Sequence, residues 1–206
     1  MIPRPGPDDA APYAFSYINL IPGDDPLAVI EKQLDEPLLT SISEEKSLHR
    51  YAPDKWSIRQ LLNHVTDTER AFAFRTLWFA RGFETPIASY DQLVAAAGAQ
   101  ADQVSWAAHV EEFRRVRLAT ISLFRNMPGE GWTRRGIASD HRVTVRALAY
   151  MIPGHFAHHV EVVRERYGAG DPLKPSFGLS GGVTAVGFNS CASLARWSKL
   201  VADRHG

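Results

Sequence analysis

Ile58, Leu61, Val65, Phe72 and Phe79 recur at helical spacing along a segment that Ser57 opens and Gly82 closes. A stripe of that period is buried only by forming an amphipathic α-helix and laying its apolar face on neighbouring helices. Ser57 suits the N-cap, where its hydroxyl can accept a first-turn N–H, and Gly82 suits the C-terminal cap. Three further segments repeat the pattern. Asp24 and Asp25 precede Pro26, after which Leu27, Ile30, Leu34 and Leu38 predict a helix bent near Pro37. Trp106, Val110, Phe113, Val116 or Arg117, Ile121 and Phe124 predict a third helix, stopped by Pro128 and Gly129. Thr144 leads into VRALAYMIPGHFAHHVEVVRERYG, a fourth helix closed by Gly168.

Four such helices, without a convincing alternating strand pattern, predict an all-α fold: an up-down four-helix bundle over residues 24 to 168. Residues 1 to 23 hold five prolines and read as a mostly extended N-terminal arm. Residues 169 to 206 shift to Gly, Pro and Ser and read as a tail with one short amphipathic stretch, CASLARWSKLVADR.

Charge and cysteine usage narrow the partners. Lys plus Arg and Asp plus Glu stand at 23 each, so no whole-molecule field draws the chain to nucleic acid or an anionic membrane. The basic run Arg114, Arg115 and Arg117 is interleaved with Glu111 and Glu112 and reads as a solvated face. No segment has the apolar length of a membrane span, and the first residues lack the apolar run of a signal peptide. Cys191 is the single cysteine, so no intramolecular disulfide can form, and a cytoplasmic location is expected.

Three of the eight histidines crowd into GHFAHH. Residues four apart on a helix point in directions about 40° apart, so His155 and His159 project together, on the stripe that also carries Leu148, Met151, Ile152 and Val162. His158 falls toward the edge of the stripe. Burying two imidazoles one turn apart costs desolvation twice, and a divalent metal that takes a nitrogen from each removes that cost. The spacing alone leaves two readings open, a hydrogen-bonded packing pair or a metal site, and a third ligand decides between them. His64 is the best candidate: it sits on the shoulder of its helix's apolar stripe, flanked by Thr68, Ala71 and Arg75. His49, His109, His141 and His205 read as solvated.

WSIRQLLNHVTDTER, followed about ninety residues later by VRALAYMIPGHFAHHVEVVRERY, resembles the DinB/YfiT-like family of metal-dependent four-helix-bundle proteins. The likeness runs over roughly residues 10 to 168 and includes the link SLHRYAPDKWS. The resemblance implies that the helix-two histidine and the first and third histidines of the last cluster bind one divalent metal. These are His64, His155 and His159. It also implies a small-molecule substrate and, as in characterised relatives, transfer or isomerisation with a low-molecular-weight thiol, with hydrolysis open to the same chemistry. Zinc, nickel, iron and manganese all suit such a ligand set. The other class of function is a non-catalytic metal- or ligand-binding bundle. A homodimer is expected, because bundles pair through helical faces.

Pro153, just before the cluster, departs from the family pattern and is expected to bend the helix. Asp67 and Glu69 offer acceptors for ligand N–H groups but read better as surface charges, and Arg75 reads as a structural ion pair rather than a group for an anionic substrate. Trp56, Trp78 and Trp132 either line a pocket or pack. No catalytic residue beyond the metal ligands is identified.

Overall fold

Proline and polar caps divide the chain's first third into short turns, whereas the long periodic segments downstream run without interruption. The computed structural model describes residues 2 to 168. The expected tail over 169 to 206 lies outside the described residues. The arm is not extended throughout: 3₁₀ turns over Pro7–Asp9 and Pro12–Ala14 lead into one helical turn, α1 (Phe15–Ile18). Each 3₁₀ turn starts on a proline, whose fixed φ and missing N–H fit a first helical position.

The first bundle segment is likewise broken rather than bent. Its pieces are α2 (Pro26–Lys32), a 3₁₀ turn over Gln33–Asp35, and α3 (Leu38–Ser41). Pro37 disfavours helical geometry at the residue before it, and Glu36 accordingly stands at φ −57, ψ 120. The remaining helices are α4 (Ile58–Ala80), α5 (Gln92–Ala99), α6 (Trp106–Arg125) and α7 (Val145–Tyr167). Ser57 and Gln60 form a reciprocal capping box at the start of α4, and Gly82 after its end stands at φ +85. Thr144 caps α7 through the Ala147 N–H, and Gly168 ends it in the left-handed region.

A short antiparallel hairpin precedes α7, pairing β1 (Arg135–Ala138) with β2 (His141–Thr144). It escapes a pattern search because its strands are four residues long and its two-residue turn is Ser139–Asp140 rather than Asn-Gly. Both turn residues have positive φ, 51 and 62. Apart from this hairpin the fold is the expected helical bundle. Helix α4 packs on α6 and α7, and α2 meets the same two helices.

The interior has two apolar clusters. Ile18, Ile30, Phe72, Phe79, Leu148 and Ile152 belong to one, and Leu39, Leu62, Val65, Phe113, Phe156 and Val160 to the other. Between them Glu69 of α4 pairs with Arg117 of α6 at 2.8 Å, with side chains 2% and 0% exposed. Both had read as surface charges. Arg117 lies over the rings of Phe113 and Phe156 and donates to the Gln33 side-chain oxygen, while the Gln33 amide donates to the Pro153 carbonyl at 2.9 Å. Helix α7 runs as one element through Pro153.

The arm is fixed to α7. Asp9 pairs with Arg146 at 2.8 Å, and the Tyr150 hydroxyl donates to the Ile2 carbonyl. Closest of all is Gly154, where a Cβ would stand 2.2 Å from the Tyr17 carbonyl oxygen. Glycine is required there so that α1 can lie on α7. Gly→Ala inside a helix ordinarily gains about 1 kcal/mol. At Gly154 we expect the opposite sign: a loss of about 1–3 kcal/mol from overpacking against backbone, read as a lower urea midpoint at unchanged m-value.

Candidate metal centre

The two apolar clusters meet along α4 and α7, and the three expected histidines lie at that junction. His64, His155 and His159 are each buried, 4 to 8% exposed. Their ligand-capable nitrogens converge: His155 Nε2 stands 3.2 Å from His64 Nε2 and 3.1 Å from His159 Nε2. The one-turn spacing on α7 brings the rings of His155 and His159 to 4.5 Å, and the α4–α7 packing brings His64 to 5.0 and 5.1 Å from them.

A neutral imidazole nitrogen carries either one proton or one lone pair. His155 Nε2 therefore makes one good hydrogen bond with one of its two neighbours and not with both. A cation accepting three lone pairs satisfies all the contacts at once. Zinc bonds of about 2.0–2.1 Å would hold tetrahedral nitrogens roughly 3.3 Å apart, close to the spacing observed. Coordination through Nε2 leaves the proton on Nδ1, and His64 Nδ1 faces the Thr68 hydroxyl at 3.4 Å, an outer contact that orients a ligand ring. The donor set thus fits a divalent metal, and these are the residues that together could hold one ion among those described.

Electrostatics favour the ligating form. Burial alone lowers the pKa of His64 from 6.5 to about 4. Burial also pushes His155 and His159 well below the ordinary histidine value, with their neighbouring imidazoles adding to the effect. Aromatic rings enclose the cluster. Trp56 lies 5.0 Å from His64, Tyr17 of α1 meets His155 edge-on at 5.3 Å, and Phe72 stands 6.2 Å from His155. Of the three tryptophans read as pocket-lining or packing, Trp56 is the one at the centre. Tyr17 had not been foreseen, since nothing in the sequence shows that the arm folds onto α7.

The remaining sequence candidates fall elsewhere. His158 is half-buried and faces Tyr17. Asp67 pairs with Arg70, and Glu69 with Arg117, so neither holds a ligand histidine. His109, expected in solvent, is 2% exposed and hydrogen-bonded to the Ala101 carbonyl at 2.8 Å. Arg75 is buried but has no acidic partner among the described residues. A small cavity of about 30 Å³ reaches His159, lined by apolar side chains such as Leu61, Val65 and Val160. It is a gap in packing without polar partners for water.

The model of the DinB superfamily matches residues 33–163. No curated protein matches the chain by sequence. Several solved structures share the fold, two of them as follows. YfiT from Bacillus subtilis, a probable metal-dependent hydrolase with an unusual four-helix bundle topology, is 16% identical with a TM-score of 0.57, over 82% of this chain and 95% of its own. The mycothiol-dependent maleylpyruvate isomerase is 15% identical with a TM-score of 0.58, over 74% of this chain and 63% of its own. Identities this low establish the fold alone. No helix among the described residues is long and apolar enough to cross a membrane.

Holding three imidazoles neutral in the interior has a thermodynamic consequence. An unfolded chain protonates them below about pH 6.5, whereas the folded chain resists until about pH 4 at His64. The associated stability is fully present above 6.5 and is lost as pH falls toward 4. His64 contributes on the order of 3 kcal/mol of that loss. We expect the Tm of the metal-free protein to be level above about pH 7 and to fall steadily below it, less steeply for His64→Gln. A wild-type Tm independent of pH across that interval would show that water reaches the cluster.

Proposed function

The chain belongs to the DinB superfamily, and on that footing we propose that it is a metal-dependent enzyme for small-molecule chemistry, with His64, His155 and His159 holding one divalent ion. The convergence of His64 Nε2 and His159 Nε2 on His155 Nε2, from two helices into a dry junction, carries this reading. A low-molecular-weight thiol is the proposed co-substrate and transfer the proposed reaction class, with hydrolysis as the related outcome. The mycothiol dependence of one structural neighbour and the metal-dependent hydrolase description of the other support these assignments.

When bound to three neutral nitrogens, a divalent ion keeps positions open and supplies Lewis acidity, lowering the pKa of a water or thiol beside it. The protein's own residues prepare that chemistry. Burial keeps the imidazoles unprotonated at neutral pH, so ligation does not compete with protons. Thr68 sets the His64 ring through Nδ1. Tyr17, Trp56 and Phe72 exclude bulk water, which strengthens every charge interaction inside.

Elemental analysis of untagged protein tests the assignment. We expect near-stoichiometric divalent metal in the wild type, lost in His64→Ala, His155→Ala and His159→Ala and retained in His158→Ala. Metal that survives His64→Ala would overturn the ligand set. Metal without turnover of thiol-plus-electrophile, ester or amide substrates would leave a non-catalytic metal-binding bundle. The same reading keeps the chain as a homodimer, with apolar side chains such as Leu20 and Phe74 about half exposed and free to join a contact; a monomer mass in light scattering at micromolar concentration would remove that part.

A further inference from the structure

Three arginines are buried among the described residues, and two of them are neutralised. Arg59 meets the Glu44 carboxylate and the Asp102 and Val104 carbonyls, and Arg117 meets Glu69. The third, Arg75, is 9% exposed and pairs with no carboxylate among the described residues. Its one hydrogen bond runs from Nη2 to the Ser139 hydroxyl at 3.0 Å, and its guanidinium lies 5.8 Å from the centre of the Phe72 ring. A guanidinium offers five N–H donors in a planar fork. Here one donor is used, the others are open to a ligand, and no carboxylate among the described residues matches the charge. Interiors do not ordinarily retain an uncompensated cation.

The surroundings are built rather than accidental. Ser139 reaches Arg75 from the tip of the hairpin, where it and Asp140 both hold positive φ without being glycine. A two-residue hairpin turn of this kind requires that backbone at both positions and so fixes where the Ser139 hydroxyl stands. The Ser139 N–H is fixed in turn by the Ile87 carbonyl. From the arm, Tyr13 is the titratable group coupled to Arg75, and burial raises its pKa so that it stays a neutral phenol. Tyr13 is 39% exposed and Ser139 half-buried, so the guanidinium sits one side chain below the surface.

Arg75 also lies on the side of α4 that carries His64. Eleven residues make about three turns, so the two side chains point in nearly the same direction, about 16 Å apart along the axis. Helical side chains lean toward the N-terminus, which directs Arg75 back over Phe72, and Phe72 stands against His155.

We propose that Arg75 and the Ser139 hydroxyl form a binding subsite for the carboxylate of a small-molecule ligand. A carboxylate matches the planar fork with two oxygens and supplies the single negative charge that Arg75 lacks among the described residues. One guanidinium and one hydroxyl suit a monoanion better than a phosphate dianion, which calls for further cations. That the rest of such a ligand extends past Phe72 toward the three histidines, making the substrate a carboxylate-bearing molecule, rests on the metal-centre reading. The anion subsite itself does not.

Calorimetric titration with benzoate, with benzamide as the uncharged analogue and inorganic phosphate as the competing anion, tests this on EDTA-treated and zinc-reconstituted protein. We expect saturable benzoate binding in both preparations, at least about tenfold weaker in Arg75→Met and weakened in Ser139→Ala, with benzamide and phosphate inferior to benzoate. Ligand-free Arg75→Met should melt no lower than wild type, because an unmatched buried charge has been replaced by an apolar chain of similar length. If Arg75→Met fails to fold, Arg75→Lys, which keeps the charge but not the fork, should show the same loss. Benzoate binding unchanged in these variants, absent from wild type, weaker than phosphate, or present only with zinc would each overturn the subsite. Benzoate binding that persists in a protein unable to take up zinc would keep the subsite and reject the metal reading.

Discussion

Helix α4 carries into the interior a set of polar side chains that water would otherwise solvate, among them Arg59, His64, Thr66, Glu69, Arg75 and Thr76. Leaving one neutral group of this kind without a partner costs about 1–3 kcal/mol, and a charge costs more. Arg59, His64 and Glu69 therefore dictate what must lie opposite them. Arg59 requires Ser47, Glu44 and the carbonyls before α6; Glu69 requires Arg117 on α6; His64 requires the imidazoles of α7. Apolar packing holds the helices together but is non-directional. These polar demands set which helix faces which, and they place the three histidines at a defined junction rather than anywhere along the bundle.

The same logic explains which features the sequence displays. Periodicity and caps expose α4, α6 and α7 because each buries a continuous stripe and ends on a residue with a specific capping geometry. The histidine triad is visible for a related reason, since helical rotation alone superimposes His155 on His159, although pairing them with His64 required the family resemblance. Arg117 and His109 were misjudged because charged and polar residues in a mixed run are ordinarily solvated. Their positions nevertheless carried a signal. Both fall within the stripe of α6 that holds Trp106, Val110, Phe113, Ile121 and Phe124, and a polar residue inside an apolar stripe implies a buried partner.

Long-range partners are what one sequence withholds. Nothing local to Gly154 says that the Tyr17 backbone will press on it, and nothing local to Pro7 or Pro12 says that the arm will coil into turns or which helix it will lie against. The hairpin is hidden for the opposite reason: its strands are too short for alternation to register, and its turn residues are not the usual pair for positive φ. Pro153 was expected to disturb the histidines. Helix α7 nevertheless continues through it, and the Gln33 amide from a distant segment donates to the Pro153 carbonyl while its oxygen accepts from Arg117.

This division has a functional side. The superfamily match begins at residue 33, so all three histidines, Thr68 and Arg75 lie inside it, while Tyr13 and Tyr17 lie outside. Yet Tyr17 packs against His155 and His158, and Tyr13 is the arm's titratable group coupled to Arg75. The elements that position the three imidazoles thus come from the shared bundle, and part of the wall around them comes from residues of the arm. Gly154 joins the two, since the absence of a side chain there lets α1 approach one residue away from His155. A change in the arm would alter what the centre admits without moving the nitrogens that form it, whereas a change at Gly154 would disturb both.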